Sequence, residues 1–330
     1  MAIDITQLVT ELGQYRMQNQ NVTSWVYEGS AYDGKTTTLT KINGQYPSFH
    51  GIISNVVQEF TTAFNALGAA KFFAKPLSTF RQKVNFPFKP QDIYDAWIGF
   101  LAVEGMTPDK MPISTWIMNE LKMKTMDDIR VLEGTGVYTA NTGLFGDSMN
   151  GMITVMNNLL ASGNPFLVPV PVITDSNIVG VLDAFDRSIP GKFRRLITEY
   201  NLSQENLDRY RFRYRALYGK DVQHKDDDVN KVWLNGKYLV GYDSWDGSDL
   251  IMATPKTNWL RLIDMLNAPT ITDVQSIDYE VKIFMEFSLA YDFAVDEKVF
   301  ISDTGGLVRG LATNHALYYP NTPTTPIPVL

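Results

Sequence analysis

The chain of 330 residues contains no cysteine. That absence excludes disulfides, thiolate zinc sites, iron–sulfur clusters and cysteine nucleophiles, so stability has to come from packing. Histidine is nearly as scarce. His50, His224 and His315 lie far apart with no partner one helical turn away, which excludes a histidine metal site of the usual spacing. Nowhere do about 18 apolar residues run together, so no membrane helix is expected. The amino terminus lacks the basic-then-apolar texture of a secretory signal, which leaves the glycosylation patterns at Asn21 and Asn201 idle. Concentrated positive charge is missing too. The net charge is −7, and the 29 basic residues are scattered apart from Arg194-Arg195 and the alternating Arg209, Arg211, Arg213 and Arg215. Tight sequence-independent DNA binding needs a concentrated basic face. The alternating arginines are read as a solvated helix between a Ser203 N-cap and a Gly219 stop.

What the chain does have is alternation. Every odd position from 277 to 295 is apolar: Ile277, Tyr279, Val281, Ile283, Met285, Phe287, Leu289, Tyr291, Phe293 and Val295. A period of two means extended chain with one buried face. The run is either one long ribbon or two strands joined by a bend, and no Gly, Pro or Asn-Gly suggests a tight hairpin inside it. Ahead of it, residues 112–133 read as the longest helix, with Pro112 in its first turn and Gly134 as its stop. Ile5, Leu8, Val9, Leu12 and Tyr15 make the first twenty residues an amphipathic arm. Residues 52–67 look helical, with Ile53, Val56, Val57, Phe60, Phe64 and Leu67 on one side. Further helices are expected at 152–160 and 176–185, and a Pro-broken strand at 166–173. A hairpin is expected at Asn235-Gly236, and the tail from Asn321, with Pro323, Pro326 and Pro328, should be an extended strap or a disordered end.

Residues 71–101 are rich in aromatics. Their alternation carries Pro76, Pro87 and Pro90, which confines such strands to an edge or an arm. Phe72, Phe73, Phe80, Val84, Phe86 and Phe88 are too apolar to stay wet, so a covering neighbour is expected, with Phe80, Val84, Phe86 and Phe88 driving assembly.

Chemistry is harder to find. Gly29, four residues and then Gly34-Lys35-Thr36 match the phosphate loop of many ATPases, which needs a strand before it and a helix after it. The Thr-rich, turn-rich sequence that follows is a poor helix start. Asp226-Asp227-Asp228 and the Asp243, Asp246, Asp249 set lack calcium-loop spacing and read as solvated turns. There is no Gly-x-Ser-x-Gly elbow and no dinucleotide fingerprint. Nothing commits the chain to catalysis, a cofactor or a metal.

The order of parts carries more information. Phe86-Pro87-Phe88-Lys89-Pro90 runs on through Trp97 to Leu101, followed by the 112–133 helix. Then come Asp147-Ser148-Met149-Asn150-Gly151-Met152, Ala253-Thr254-Pro255-Lys256-Thr257-Asn258-Trp259-Leu260, and the block from Val281 that ends in the turn Asp296-Glu297-Lys298. This succession resembles the major capsid proteins of tailed bacteriophages, with the Hong Kong 97 type of fold, over most of residues 1–303.

The resemblance implies an α+β fold. It would have an N-terminal arm and lead-in (1–69), an extended β-hairpin loop (70–108) and a spine helix with the first part of a peripheral domain (109–174). A mixed axial domain (175–264), the long antiparallel peripheral strands (265–303) and a C-terminal extension (304–330) would follow. It also implies a structural subunit, not an enzyme, whose copies form pentamers and hexamers of an icosahedral virion shell assembled in the bacterial cytoplasm around double-stranded DNA. The extended loop would lie over one neighbour, and the arm, through Ile5, Leu8, Val9 and Leu12, would clasp another. Portal, scaffolding and decoration proteins are the implied partners. Because the chain begins without the cleaved segment of some relatives, scaffolding is expected to be separate or dispensable, and no covalent cross-linking is indicated. The alternatives are an NTPase using Gly29 to Thr36 and a phage tail or baseplate component.

Overall fold

A computed structural model describes residues 5–18, 30–42, 44–53, 55–68, 70–108, 110–219, 231–264, 270–277 and 280–329. In chain order the elements are α1 (Ile5–Gln18), β1 (Thr37–Leu39), β2 (Gln45–Ile53), β3 (Ala70–Ser78), β4 (Phe80–Phe88), α2 (Pro90–Glu104), α3 (Ile113–Thr135), α4 (Met152–Ser162) and β5 (Phe166–Pro169). These are followed by α5 (Ile178–Ser188), α6 (Gly191–Arg194), β6 (Glu199–Ser203), α7 (Gln204–Tyr218), β7 (Lys231–Leu234), β8 (Lys237–Tyr242), β9 (Met252–Ala253) and β10 (Trp259–Ile263). The chain closes with β11 (Thr270–Ile277), β12 (Glu280–Phe293), β13 (Phe300–Asp303) and a short α8 (His315–Tyr318).

The alternating run supplies β12, a strand of 14 residues that spans roughly 47 Å at about 3.4 Å per residue. Its odd positions from Val281 to Phe293 are all buried and pack in one core with Leu8 and Leu12 of α1, Ile117, Leu121, Ile129 and Leu132 of α3, and Met152 and Met156 of α4. β11 pairs along residues 280–286 and β4 along 281–289, so the two occupy opposite edges, while β10 takes 289–293. The expected absence of a hairpin is corrected here. Ile277 stands opposite Glu280 in antiparallel register, so β11 and β12 pair as a hairpin; Asp278 and Tyr279 lie outside the described residues.

Pro87 fits β4 because that strand pairs only with β12, and Pro47 faces Pro76 in the two-stranded β2–β3 hairpin, where each strand has an open edge. The structure therefore places the hairpin at residues 45–78 instead of 70–108. Residues 80–88 are woven into the main sheet, and residues 90–104 are helix α2. The helix expected at 52–67 is also absent. Ile53 ends β2, and residues 55–68 carry no helix and are exposed throughout. An amphipathic helix draws most of its stability from packing its apolar face, and among the described residues nothing covers that face.

A second sheet, in the order β5-β13-β9-β6-β8-β7, carries α5 and α7 on a separate core built around Phe166, Phe185, Tyr200 and Phe300. It draws β5 and β13 from outside residues 175–264, and β10 belongs to the first sheet. The Asn235-Gly236 turn forms as expected, with φ of +48° and +83°, between β7 and β8. Ser203 caps α7 by accepting from the Asn206 amide. The tail beyond 303 includes the helical turn α8 and is tied down. Leu311 and Tyr319 are buried, and the Arg309 guanidinium donates to the Pro323 carbonyl.

The spine helix α3 ends in a tight crossing. A Cβ on Gly134 would sit 2.1 Å from the Ser244 carbonyl oxygen and 2.6 Å from its Cβ. Gly134→Ala is expected to cost about 1–3 kcal/mol of stability, the usual penalty for overpacking, as measured by urea unfolding; an unchanged midpoint would contradict this contact.

Candidate assembly surface

The β2–β3 hairpin has two unlike ends. At its base, one face turns toward the body of its own chain. Lys75 Nζ donates to Asp292 Oδ1 and Asp296 Oδ1, both at 2.6 Å, and to the Phe293 carbonyl at 3.0 Å. Burial works against the Lys75 charge, but the two carboxylates outweigh it and hold the ammonium above its ordinary range. His50 Nε2 lies 3.3 Å from Glu297 Oε2 and 3.2 Å from the Tyr318 hydroxyl, and its ring stacks on Phe73. Leu77 is fully buried with Ile42, Leu260, Leu262 and Ala290, so the base covers the far side of the β12 sheet. The short turn 296–298 and the C-terminal extension thus fix where the hairpin leaves the body.

The other face and the tip are bare. Val57 is 89% exposed, Phe60 88%, Phe64 94% and Phe72 80%, and Phe49, Ile53 and Val56 are exposed as well. Gly51 makes room for Phe72: a Cβ there would meet the Phe72 ring at 2.7 Å. Contiguous exposed apolar surface of this kind marks a contact site.

The interface residues expected from sequence divide sharply. Phe72 is exposed and Phe73 half-buried on the hairpin. Phe80, Val84, Phe86 and Phe88 point inward from β4 onto their own core, which Phe88 joins as a buried member. On α1, Leu8 and Leu12 are buried in that same core, Ile5 and Val9 pack against it, and Ser114 Oγ donates to Glu11 at 3.2 Å. These β4 and α1 side chains are covered within the chain because they follow the inward faces of a strand and a helix already packed on α3. The helical spacing of its apolar residues predicts a packed helix for the tip, and the structure instead leaves the segment exposed and without helix. Its signal was an apolar stripe in a segment flanked by turn residues.

The phosphate-loop reading fails on geometry. Gly29 lies outside the described residues, but Gly34 leads into strand β1, paired parallel to β10, and not into a helix. Lys35 Nζ donates to the Tyr242 hydroxyl at 2.9 Å and sits 4.5 Å from that ring's centroid, while the amide of Lys35 is taken by the Tyr32 carbonyl. The acidic turns are structural: Asp246 accepts from the Glu205 amide and Asp249 from the Asn206 side chain. Asp226, Asp227, Asp228 and His224 lie outside the described residues. Among the described residues no group of three potential metal-ligating side chains comes together.

The segment that carries this loop is locked into the body through Glu133, fully buried near the end of α3. Its carboxylate accepts from the Ala31 amide at 3.0 Å and from the Tyr291 hydroxyl at 2.5 Å. Tyr32 donates to the Glu133 carbonyl, and Trp245 donates to the Tyr32 hydroxyl at 2.6 Å. One network therefore joins the lead-in segment, the spine helix, β12 and the turn at Trp245. Sequence gave no sign of it.

No family model and no curated protein matches the chain. Solved structures do match. A chain of the satellite phage P4 procapsid, a structure that includes the size determination (Sid) protein, aligns at 12% identity and a TM-score of 0.58 over 92% of each chain. The capsid asymmetric unit of cyanophage A-1(L) aligns at 11% identity and 0.52, covering 80% of this chain and 89% of that one. The capsid of an empty GTA particle aligns at 10% identity and 0.50, covering 83% and 89%. This chain has the α+β fold of tailed-phage capsid proteins. The likeness supports the α+β capsid-fold reading of the sequence.

Burial pushes the Glu133 carboxyl above the ordinary carboxylate range, against hydrogen bonds from Tyr291, Ser30 and Ala31 that favour its charged form. A carboxyl whose pKa is raised on folding contributes stability that is complete below its unfolded pKa and is lost as pH rises through the folded one. Glu133→Gln keeps an acceptor for the Ala31 amide and presents an N–H, in place of an acceptor, to the Tyr291 oxygen, while abolishing the titration. The unfolding free energy of the wild type minus that of the variant, from denaturant titrations, is expected to fall with rising pH from the ordinary glutamate range upward; a difference independent of pH would contradict the assignment.

Proposed function

We propose that this protein is the major structural subunit of a bacteriophage shell. Copies assemble as rings of five and six into an icosahedral virion capsid enclosing double-stranded DNA, built in the bacterial cytoplasm with portal, scaffolding and decoration proteins as further partners. Its role is structural and not enzymatic. The capsid fold, matched over 92% of the chain in the P4 procapsid, supports this reading.

The observation that carries it is the hairpin: one face latched to its own body and a tip of Val56, Val57, Phe60, Phe64 and Leu67 that none of the described residues covers. Burying each such side chain on a neighbour contributes about 1.5–3 kcal/mol, and closed symmetry repeats the contact around every ring. The helical spacing of these positions fits a segment that gains its order on the neighbour's surface. As the receiving surface we propose the groove of about 820 Å³ between β4, α3 and the loop at residues 138–148. There Leu144 and Phe145 are exposed, and the buried Gln82 amide lacks a hydrogen-bond partner. A net charge of −7 suits a container that does not grip its DNA. The lead-in geometry around Lys35 removes support for the NTPase reading.

The test is the triple variant Val57→Ser, Phe60→Ser, Phe64→Ser. Because these side chains are exposed, stability should change by no more than about 0.5 kcal/mol per site, while sedimentation velocity should show monomers or small oligomers in place of shells. Phe88→Ser, by contrast, should unfold the chain. Normal shells from the triple variant would overturn the proposal.

A further inference from the structure

The pair Arg194-Arg195, singled out in the sequence, has no role in the tip contact. In the fold it lines a cavity of about 690 Å³ together with Lys192, Lys237, Asn235 and Gly191, at the junction of α6 and the β7–β8 turn. Four of the six lining residues are cationic and none is acidic, in a chain whose net charge is −7.

Two of the cations are fixed in place. Arg194 donates through Nη2 to the carbonyls of Arg187 at 2.7 Å and Ile189 at 3.2 Å, and its buried Nε has no hydrogen-bond partner. Lys237 is 7% exposed and donates through Nζ to Asp186 Oδ1 at 2.6 Å and the Tyr200 hydroxyl at 2.5 Å, leaving one of its three donors. Asp186, below the cavity and 4.0 Å from Arg194 Nε, neutralises one of the four charges. Lys192 and Arg195 are exposed, and no carboxylate forms an ion pair with either among the described residues. Like charges gathered at a pocket repel one another unless an anion joins them, and rigidly held cations lower the cost of binding one.

We infer that this cavity is a binding site for a multiply charged phosphate anion, held by Lys192, Arg194, Arg195 and Lys237. The volume accommodates a short polyphosphate, and cationic donors on several sides match phosphate oxygens. None of the described residues lining the cavity is aromatic, Phe193 lies under the Lys192 ammonium and the Tyr200 ring under Lys237 is buried, so recognition is by phosphate and not by base stacking. The same chemistry is offered by a free polyphosphate and by the backbone of DNA.

Isothermal titration of the full-length protein with sodium tripolyphosphate, against sodium sulfate at matched ionic strength, tests the site. The double variant Lys192→Gln, Arg195→Gln changes only exposed side chains and should weaken tripolyphosphate binding at least about tenfold, as expected for lost charge-assisted hydrogen bonds. The charge-keeping variant Lys192→Arg, Arg195→Lys should retain binding. Displacement of tripolyphosphate by a short DNA duplex would place backbone phosphates in the cavity, and failure to displace it would assign the site to free anions; either supports phosphate recognition. No binding above the sulfate level, or equal affinity in the double variant, would overturn it. The outcome does not depend on whether the protein forms shells.

Discussion

One strand holds this molecule together. β12 buries every odd side chain from Val281 to Phe293 against α1, α3 and α4, and its backbone is paired along both edges by β4, β10 and β11. Register in such a strand is strongly determined, because a slip of one residue would turn Ile283, Met285 and Phe287 outward and Lys282 and Glu286 into the core. Its other face is closed by the hairpin base through Leu77 and Ala290. The position of the hairpin therefore follows from the same strand that positions the spine helix.

That arrangement separates rigidity from stickiness. Charged and polar contacts of Lys75, His50 and Lys71 tie one face of the hairpin, almost to its distal end, to Asp292, the turn 296–298 and the C-terminal extension. The tip carries Val57, Phe60 and Phe64, three of the most exposed large apolar side chains among the described residues. An interface built this way needs no ligand or catalytic group, only a second copy with its groove in reach. The Glu133 network does comparable work inside the chain, tying the lead-in segment to the end of the spine helix so that the residues resembling a phosphate loop instead serve as a structural turn.

Much of the fold was legible because it rests on periodicity. The alternation at 281–293, the apolar spacing of residues 113–132, the Ser203 cap and the Asn235-Gly236 turn each follow from local rules that tertiary packing reinforced. Apolar residues at helical spacing specify a helix only when something covers them, and none of the described residues covers the tip. β4 was misplaced for the complementary reason. Its alternation and prolines described an edge strand correctly, but sequence could not say that the partner edge was β12, about 200 residues further on. The Glu133 network and the meeting of Lys237 with the Arg194-Arg195 pair do not show in sequence, because burial and long-range pairing, and not local spacing, define them.

The central claim is that copies of this chain cover one another's hairpin tips in a closed shell. Cryo-electron microscopy of the concentrated full-length protein tests it most directly. The account predicts closed particles built from rings of five and six, with residues 55–68 of each copy seated on its neighbour; a uniform monomer, or shells whose tips stand free in solvent, would contradict it.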